Sequence, residues 1–190
     1  MAITDPVVIV GAARTPIGNF QGKLSGMSAP ELGAVAIREA VKRSGVPSAA
    51  VDEVIFGTCL FAGQKQAPAR QAALGGGLSG SAGCTTLTKM CGSAMKAAMF
   101  GHDVLVAGSS EIVVAGGMES MSNAPYILPR ARTGYRLGHQ KVLDHMLTDG
   151  LEDAVESRLM GSFACEWAEK NGFSREEQDR YAVLSTERAK

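Results

Sequence analysis

Short apolar runs alternate with helical stretches over the first 120 residues of the chain. The runs are rich in β-branched residues and predict strands at 7–10, 52–57, 85–89 and 111–115. The stretches between them predict helices at 29–44, 67–74 and 91–107. A strand–helix–strand order with connections of this length is typical of parallel βαβ units. The pattern therefore predicts an α/β fold: a mixed but mostly parallel sheet with helices on both faces.

The helix at 29–44 has the clearest boundaries. Ser28 and Glu31 have the spacing of a capping box, a proline lies in the first turn, and Gly45 stands where a C-terminal cap would end the helix. The first run, at 7–10, is apolar without interruption, which predicts a strand buried on both faces.

From residue 120 the pattern changes. Residues 120–150 show no long apolar period and carry a basic stretch, 130–141, which predicts a loop for binding or assembly. Helices are predicted at 142–157, 160–170 and 174–190. We therefore divide the chain into an α/β domain at 1–120 and the first part of a second, loop-rich domain at 121–190.

The segment that begins at Cys91 is almost free of charge. Up to Ala107 its only polar side chains are those of Ser93, Lys96, His102 and Asp103, which predicts a buried helix at the centre of the domain. Backbone N–H groups and the helix dipole favour a thiolate in the first turn, so Cys91 is a candidate nucleophile. The alternative is a packing cysteine, which is the more common role in apolar runs.

We expect the most deeply buried side chains to come from the strands and from the helix after residue 91. They are Val8, Ile9, Val54, Ile55, Cys91, Ala94, Ala97, Ala98, Val113 and Val114.

Composition gives little support to nucleic-acid or membrane binding. Lys plus Arg and Asp plus Glu each number 19, and no stretch resembles a signal peptide or a spanning helix, so we expect a cytoplasmic protein. The cysteines at 59, 84, 91 and 165 lack metal-ligand spacing, which predicts free thiols and no metal site.

A nucleophilic cysteine needs a base, and the chain has three histidines. His102 is eleven residues beyond Cys91, about 16 Å along one helix, which excludes contact. His139 and His145 cannot be placed from the sequence, and a base outside this chain is a further possibility. The basic stretch 130–141 fits either the phosphates of a coenzyme or a solvated or subunit-contacting face.

Seven motifs together resemble the thiolase family, in particular its biosynthetic acetyl-CoA acetyltransferases. They are Gly11–Pro16, Pro68–Ala73, Lys89–Ala97, Ala115–Tyr126, Asp149–Ala154, Met160–Gly161 and Arg175–Asp179. The resemblance runs through the whole chain but covers only the N-terminal half of the family's length. It implies a thiolase-like layered fold followed by the start of the family's loop domain.

The resemblance also implies a reaction. Cys91 would accept an acyl group from an acyl-CoA, and a second acetyl-CoA would then condense with it to acetoacetyl-CoA, a step reversible by thiolysis. Coenzyme A would be the substrate carrier, with no tightly bound cofactor. Leu151 and Met160 would line its pantetheine or adenine part, whereas Leu159 departs from a coenzyme-contacting histidine found in many members.

The acid/base residues of the family lie in a second half that this sequence does not contain. We therefore expect the chain to work with a polypeptide that supplies that half, and within a homo-oligomer, a dimer or a tetramer. Two alternatives stay open: a β-ketoacyl synthase-like condensing enzyme, against which the run 115–122 argues, and a catalytically silent assembly or binding module. Smaller departures from the family pattern are Lys65 and Ala94, where glycine is usual.

Overall fold

The computed structural model describes residues 7–190. It contains two compact units, one that ends at Gly150 and one formed by Leu151–Lys190. In the first unit the helices are α1 (Ala29–Ser44), α2 (Pro68–Gly75) and α3 (Ser93–Val106), and the strands are β1 (Glu53–Gly57), β2 (Gly83–Leu87), β3 (Val113–Gly117), β4 (Tyr126–Ile127) and β5 (Leu143–Asp144). The second unit contains α4 (Met160–Lys170) and α5 (Arg175–Ala189). The predicted division at residue 120 stays a prediction.

The main sheet is parallel and has the order β2-β1-β3. Glu53 is in register with Gly83 on one side and with Val113 on the other, so the three strands end at the same level. The chain passes from β1 through α2 to β2 on one side of β1, and then from β2 through α3 to β3 on the other side. Because such connections are right-handed, α2 and α3 lie on opposite faces of the sheet.

Alternate residues of β1 face the two helical layers. Val54 and Phe56 belong to the core cluster with Ile37 of α1 and Ala72 of α2. The opposite face receives α3, where a Cβ on Gly101 would lie 3.3 Å from Ala115. The predicted α/β fold with helices on both faces of a parallel sheet is confirmed.

The predicted boundaries of α1 are confirmed. Ser28 Oγ accepts a hydrogen bond from the Glu31 N–H, and the Glu31 carboxylate accepts one from the Ser28 N–H. Gly45 ends the helix at φ 70°, a left-handed conformation that glycine adopts without a steric penalty.

The predicted strand at 7–10 is wrong. These residues have no regular secondary structure, and Ile9 is 90% exposed. A strand needs a hydrogen-bonded neighbour, but the segment runs on to Gly11, which lies against α1, where a Cβ would come within 2.5 Å of the Ala40 carbonyl oxygen. Consequently Val8 and Ile9 are not core residues.

The expected burial after residue 91 is also largely wrong. Of the expected core residues, Val54, Ile55 and Ala97 are buried, Val113 and Val114 are half-buried, and Cys91, Ala94 and Ala98 are exposed. The reason is that α3 packs along one stripe only, formed by Ser93, Ala97 and Gly101. Its other side is uncovered, with Met95 72% exposed.

The predicted helix at 142–157 is wrong as well. This region holds strand β5, which pairs with β4, and a π-helical turn at Leu147–Leu151. The Asp144 carboxylate accepts a hydrogen bond from the Met146 N–H, as an N-terminal cap does, so the helical turn begins only after β5, at His145.

In the second unit the helices predicted at 160–170 and 174–190 are confirmed as α4 and α5. Ser174 and Glu177 form a second capping box at the start of α5. Trp167 and Phe173 stack with ring centroids 5.7 Å apart. Over residues 7–190, no helix has the length and apolar character needed to span a membrane.

Candidate active site

The carboxyl ends of the three parallel strands meet at one edge of the sheet. Gly57 is in register with Leu87 and with Gly117, so the segments that follow these residues start side by side. The chain leaves β1 toward one face and β2 toward the other, an arrangement that opens a crevice at the strand ends in parallel α/β sheets. Cys91 lies in the segment between β2 and α3.

Glycines at the strand ends allow the start of α3 to approach the sheet. A Cβ on Gly57 would lie 2.5 Å from the Ser93 Cβ, and a Cβ on Gly117 would lie 2.8 Å from the Ala94 Cβ. Both distances are too short for real side chains, so any larger residue at either position would push the helix away from the sheet.

Ser93 is the buried polar residue at the start of α3. Its hydroxyl group donates a hydrogen bond to the Met90 carbonyl oxygen at 2.6 Å and accepts one from the Lys89 N–H at 2.9 Å. Only 5% of its surface is exposed. Ser93 therefore ties the first turn of α3 to the residues that precede Cys91.

Cys91 itself is exposed and lies just before Gly92, the N-cap residue of α3. The N–H groups of Gly92 and Ser93 donate to the carbonyl oxygens of Lys89 and Met90 and close a tight turn around the cysteine. An exposed thiol on an ordered turn is accessible to a reagent from solution, as a nucleophile must be.

Glu119 holds the neighbouring loop in place. Its carboxylate accepts hydrogen bonds from the Thr58 hydroxyl group at 2.9 Å and from the backbone N–H groups of Cys59 and Leu60 at 2.7 and 3.2 Å. The loop after β1 is thus fixed to the end of β3. Bonds from several donors to one carboxylate are among the stronger ones in proteins.

Cys59 connects this loop to Ser93. Its Sγ lies 3.6 Å from the Ser93 Oγ, and burial raises the pKa of the Cys59 thiol, assisted by the negative charge of Glu119 and opposed by the Ser93 hydroxyl group. Cys59 is therefore in the protonated form near neutral pH, and it is a weaker nucleophile than an exposed cysteine.

His145 is not free to act as a base. The side chain is buried, its Nδ1 lies 2.6 Å from the Asp149 carboxylate, and its Nε2 accepts a hydrogen bond from the Ala62 N–H at 3.3 Å. Both ring nitrogens are occupied by partners that hold the chain together. Of the other histidines, His102 is exposed on α3, and His139 is exposed on the segment before β5.

The two predicted coenzyme residues, Leu151 and Met160, lie in the second unit. They flank an isolated antiparallel bridge between Glu152 and Leu159, which brings the two segments side by side. Leu151 is half-buried and Met160 is 53% exposed. Their role stays a prediction, as does that of Cys91.

The basic stretch is exposed throughout, from Arg130 to Lys141. Within residues 7–190, no cluster of three or more His, Cys, Asp or Glu side chains gathers as metal ligands would.

Comparison with known proteins identifies the family. Residues 7–190 match the family described as "Thiolase, N-terminal domain". The chain belongs to the thiolase family. The predicted resemblance is thereby confirmed, and the parallel sheet with its helices on both faces agrees with a thiolase fold.

Relatives of this thiolase chain are named as acetyl-CoA acetyltransferases. The Pseudomonas aeruginosa "Acetyl-CoA acetyltransferase" is 50% identical over 96% of this chain and 47% of its own length. "Acetyl-CoA acetyltransferase ERG10, cytosolic" of Gibberella zeae is 48% identical over 100% of this chain and 48% of its own length. "Acetyl-CoA acetyltransferase B, mitochondrial" of Xenopus laevis is 50% identical over 98% of this chain and 44% of its own length. The chain therefore spans a little under half the length of these relatives.

Sequence reasoning missed two polar residues that shape this site. Ser93 counted only as an exception in an apolar segment, and Glu119 only as part of a matching motif. A signal was available for Glu119, because an acidic residue directly after an apolar strand lies at the edge where the strand ends meet.

Proposed function

We propose that Cys91 is the acyl-accepting nucleophile of a thiolase-type acyltransferase. The observation that carries the proposal is the position of Cys91: an exposed thiol on the turn before α3, beside the ends of three parallel strands, in a chain of the thiolase family. The names of the relatives support acetyl-CoA as the acyl donor. Thioester exchange suits a soft sulfur nucleophile.

In the proposed reaction the Cys91 thiolate attacks the thioester carbonyl carbon of acetyl-CoA. The bond from carbon to the coenzyme sulfur breaks, coenzyme A leaves and takes up a proton, and an acetyl-cysteine remains. A second acetyl-CoA, deprotonated at its methyl carbon, then attacks this acetyl group and forms acetoacetyl-CoA, with the Cys91 sulfur as leaving group. The reverse sequence is thiolysis.

The proton transfers need groups other than His145, because both of its ring nitrogens have partners. We place these groups on a polypeptide segment that corresponds to the remaining length of the relatives. A free histidine or cysteine in such a segment would meet the requirement for a base of suitable pKa.

For coenzyme A we propose contacts with Leu151 and Met160 and an approach guided by the basic stretch 130–141, whose arginines suit phosphate groups. The coenzyme acts as substrate and product carrier, with no tightly bound cofactor. We also propose assembly into a dimer or tetramer. The cytoplasmic location stays a prediction, since relatives named cytosolic and mitochondrial are both found.

The test is incubation of the chain with acetyl-CoA labelled in the acetyl group, followed by peptide mapping. Label should appear on Cys91 and be absent in Cys91→Ala, whereas Cys165, which is also exposed, should stay unlabelled. Acetoacetyl-CoA should form only when a segment covering the C-terminal half of the Pseudomonas aeruginosa relative is added. Label on Cys165 and Cys91 at equal rates, or on neither with the added segment present, would contradict the proposal.

A further inference from the structure

The turn that carries Cys91 has an unfavourable backbone conformation. Met90, directly before the cysteine, has φ 47°, in the left-handed region that residues other than glycine, asparagine and aspartate rarely adopt. Its side chain is 43% exposed, so packing of that side chain does not account for the conformation. Some other interaction must hold the turn.

The Ser93 hydroxyl group makes the bonds that span this turn. It accepts from the Lys89 N–H on one side of Met90 and donates to the carbonyl oxygen of Met90 itself. Both bonds are formed with Met90 in the left-handed conformation between them. Ser93 in turn cannot move away, because its Cβ lies against Gly57 of β1.

We propose that Ser93 is a positioning residue for Cys91: its hydroxyl group holds the left-handed turn at Met90 and thereby presents the thiol at the start of α3. The importance of this role for acyl transfer rests on the proposed function. The role of Ser93 in ordering the turn does not rest on the proposed function, and the two roles can be measured separately.

The chain offers a closely matched control. The Ser44 hydroxyl group, at the end of α1, donates to the Val41 carbonyl oxygen at 2.7 Å and accepts from the Val46 N–H at 3.1 Å. Ser44→Ala therefore removes two bonds of the same kind as Ser93→Ala, one donated to a carbonyl oxygen and one accepted from an N–H group, at a partly buried position on a different helix.

The first measurement is independent of any acyltransferase activity. In Ser93→Ala the backbone amide hydrogen of Lys89 should exchange with solvent at least tenfold faster, because it loses its acceptor. Alkylation of Cys91 by iodoacetamide, expressed relative to Cys165 in the same molecule, should fall at least threefold, because the turn no longer holds the sulfur in its exposed position at the start of α3. Ser44→Ala should change neither quantity.

Two substitutions at Met90 separate the turn from the hydroxyl group. Met90→Asn in the Ser93→Ala background should restore most of the Cys91 reactivity, since asparagine tolerates the left-handed region. Met90→Val, with Ser93 intact, should lower reactivity as Ser93→Ala does, because a β-branched residue disfavours that region. Met90→Val also keeps the test decisive if Ser93→Ala fails to fold.

The second measurement is acetyl transfer from labelled acetyl-CoA to Cys91, which should fall at least tenfold in Ser93→Ala, as expected for a misplaced nucleophile. If the unaltered chain takes up no acetyl group even with the C-terminal segment added, the proposed function is wrong for this chain, and amide exchange and alkylation still decide the role of Ser93. Equal behaviour of Ser93→Ala and Ser44→Ala in exchange and alkylation would overturn the inference, as would full Cys91 reactivity in Met90→Val.

Discussion

At the scale of single residues, the loop between β1 and α2 carries steric strain. Lys65 has φ 63° and Ala67 has φ 49°, and both side chains belong to residues that disfavour the left-handed region. Lys65 also stands where the thiolase pattern usually has glycine. The fold requires this backbone path, and the side chains present do not favour it.

We predict that Lys65→Gly stabilises the first unit. Relief of the Cβ strain should exceed the entropy cost of glycine and raise the free energy of unfolding by about 0.5–1 kcal/mol. Urea unfolding followed by circular dichroism would measure the change. Lys65→Ala is the control, because it removes the side chain but keeps the Cβ, and an equal gain from both variants would contradict the strain argument.

Glu119 shows the opposite situation, because both oxygens of its carboxylate accept hydrogen bonds. Glu119→Gln replaces one carboxylate oxygen with an NH₂ group, which cannot accept a hydrogen bond. Because the N–H groups of Cys59 and Leu60 bond to different oxygens, one of the two loses its acceptor. We predict a loss of about 2–3 kcal/mol in the free energy of unfolding, since a backbone donor is left without a partner.

The matched control for this prediction is Glu111→Gln, the same chemical change at an exposed position just before β3. Glu111→Gln should leave the free energy of unfolding within about 0.5 kcal/mol of the original. If both glutamine variants unfold at the same urea concentration, Glu119 does not hold the loop after β1.

At the scale of elements, Asp52 fastens the start of β1 to the start of β3. Its carboxylate accepts hydrogen bonds from the backbone N–H groups of Ile112 and Glu111 at 3.0 and 2.8 Å. Both bonds lower the pKa of Asp52 from its ordinary value of 3.8, and the bond from Ile112 has the larger effect. The carboxylate is exposed, so solvent screens part of this interaction.

The lowered pKa has a defined effect on stability. A group whose pKa is lower in the folded state contributes stability above its unfolded value of 3.8, and that contribution is lost as the pH falls through the folded value. We predict that the urea midpoint falls less steeply below pH 4 in Asp52→Asn than in the original chain, since the amide oxygen accepts the same bonds without titrating. Identical acid profiles for the two proteins would contradict this.

The helix α3 is the element whose environment differs most from expectation. Its composition is apolar on nearly every side, yet only the stripe through Ser93, Ala97 and Gly101 meets the sheet. The small residues of this stripe let the helix approach β1 and β3 closely, which places the turn with Cys91 beside the strand ends. Close packing of α3 thus serves the position of the thiol more than the burial of its large side chains.

At the scale of the whole molecule, net charge is zero but positive charge is concentrated in one exposed segment. The segment 130–141 contains Arg130, Arg132 and Arg136 together with His139 and Lys141, and no acidic residue. Exposed arginines at this density suit either phosphate groups or an acidic partner surface.

We predict that changing Arg130, Arg132 and Arg136 together to Ala weakens coenzyme A binding several-fold or lowers the oligomeric state. Isothermal titration and sedimentation velocity would measure the two effects. The control changes Lys170, Arg180 and Arg188 to Ala, which alters the net charge equally at exposed positions of the second unit. If the two triple variants behave alike, the segment is only a solvated face.

The sequence by itself determined the features that depend on a few neighbouring residues. The capping boxes at Ser28 and Ser174 and the left-handed glycine at 45 set the ends of α1 and the start of α5 through bonds that span three or four positions. The apolar runs of β1 and β3 were likewise sufficient to predict strands. The seven motifs together were sufficient to identify the family.

Only the tertiary structure decided which surfaces are covered and which polar groups meet. The bonds of Glu119 join residues about 60 positions apart, and the bond from the Ala62 N–H to the His145 ring joins residues 83 positions apart, so no local pattern contains them. Residues 7–10 have the composition of a buried strand but lack a neighbouring strand within the described chain. Local signals select backbone conformation, whereas burial and long-range hydrogen bonds depend on which elements pack together, and that depends on the whole chain.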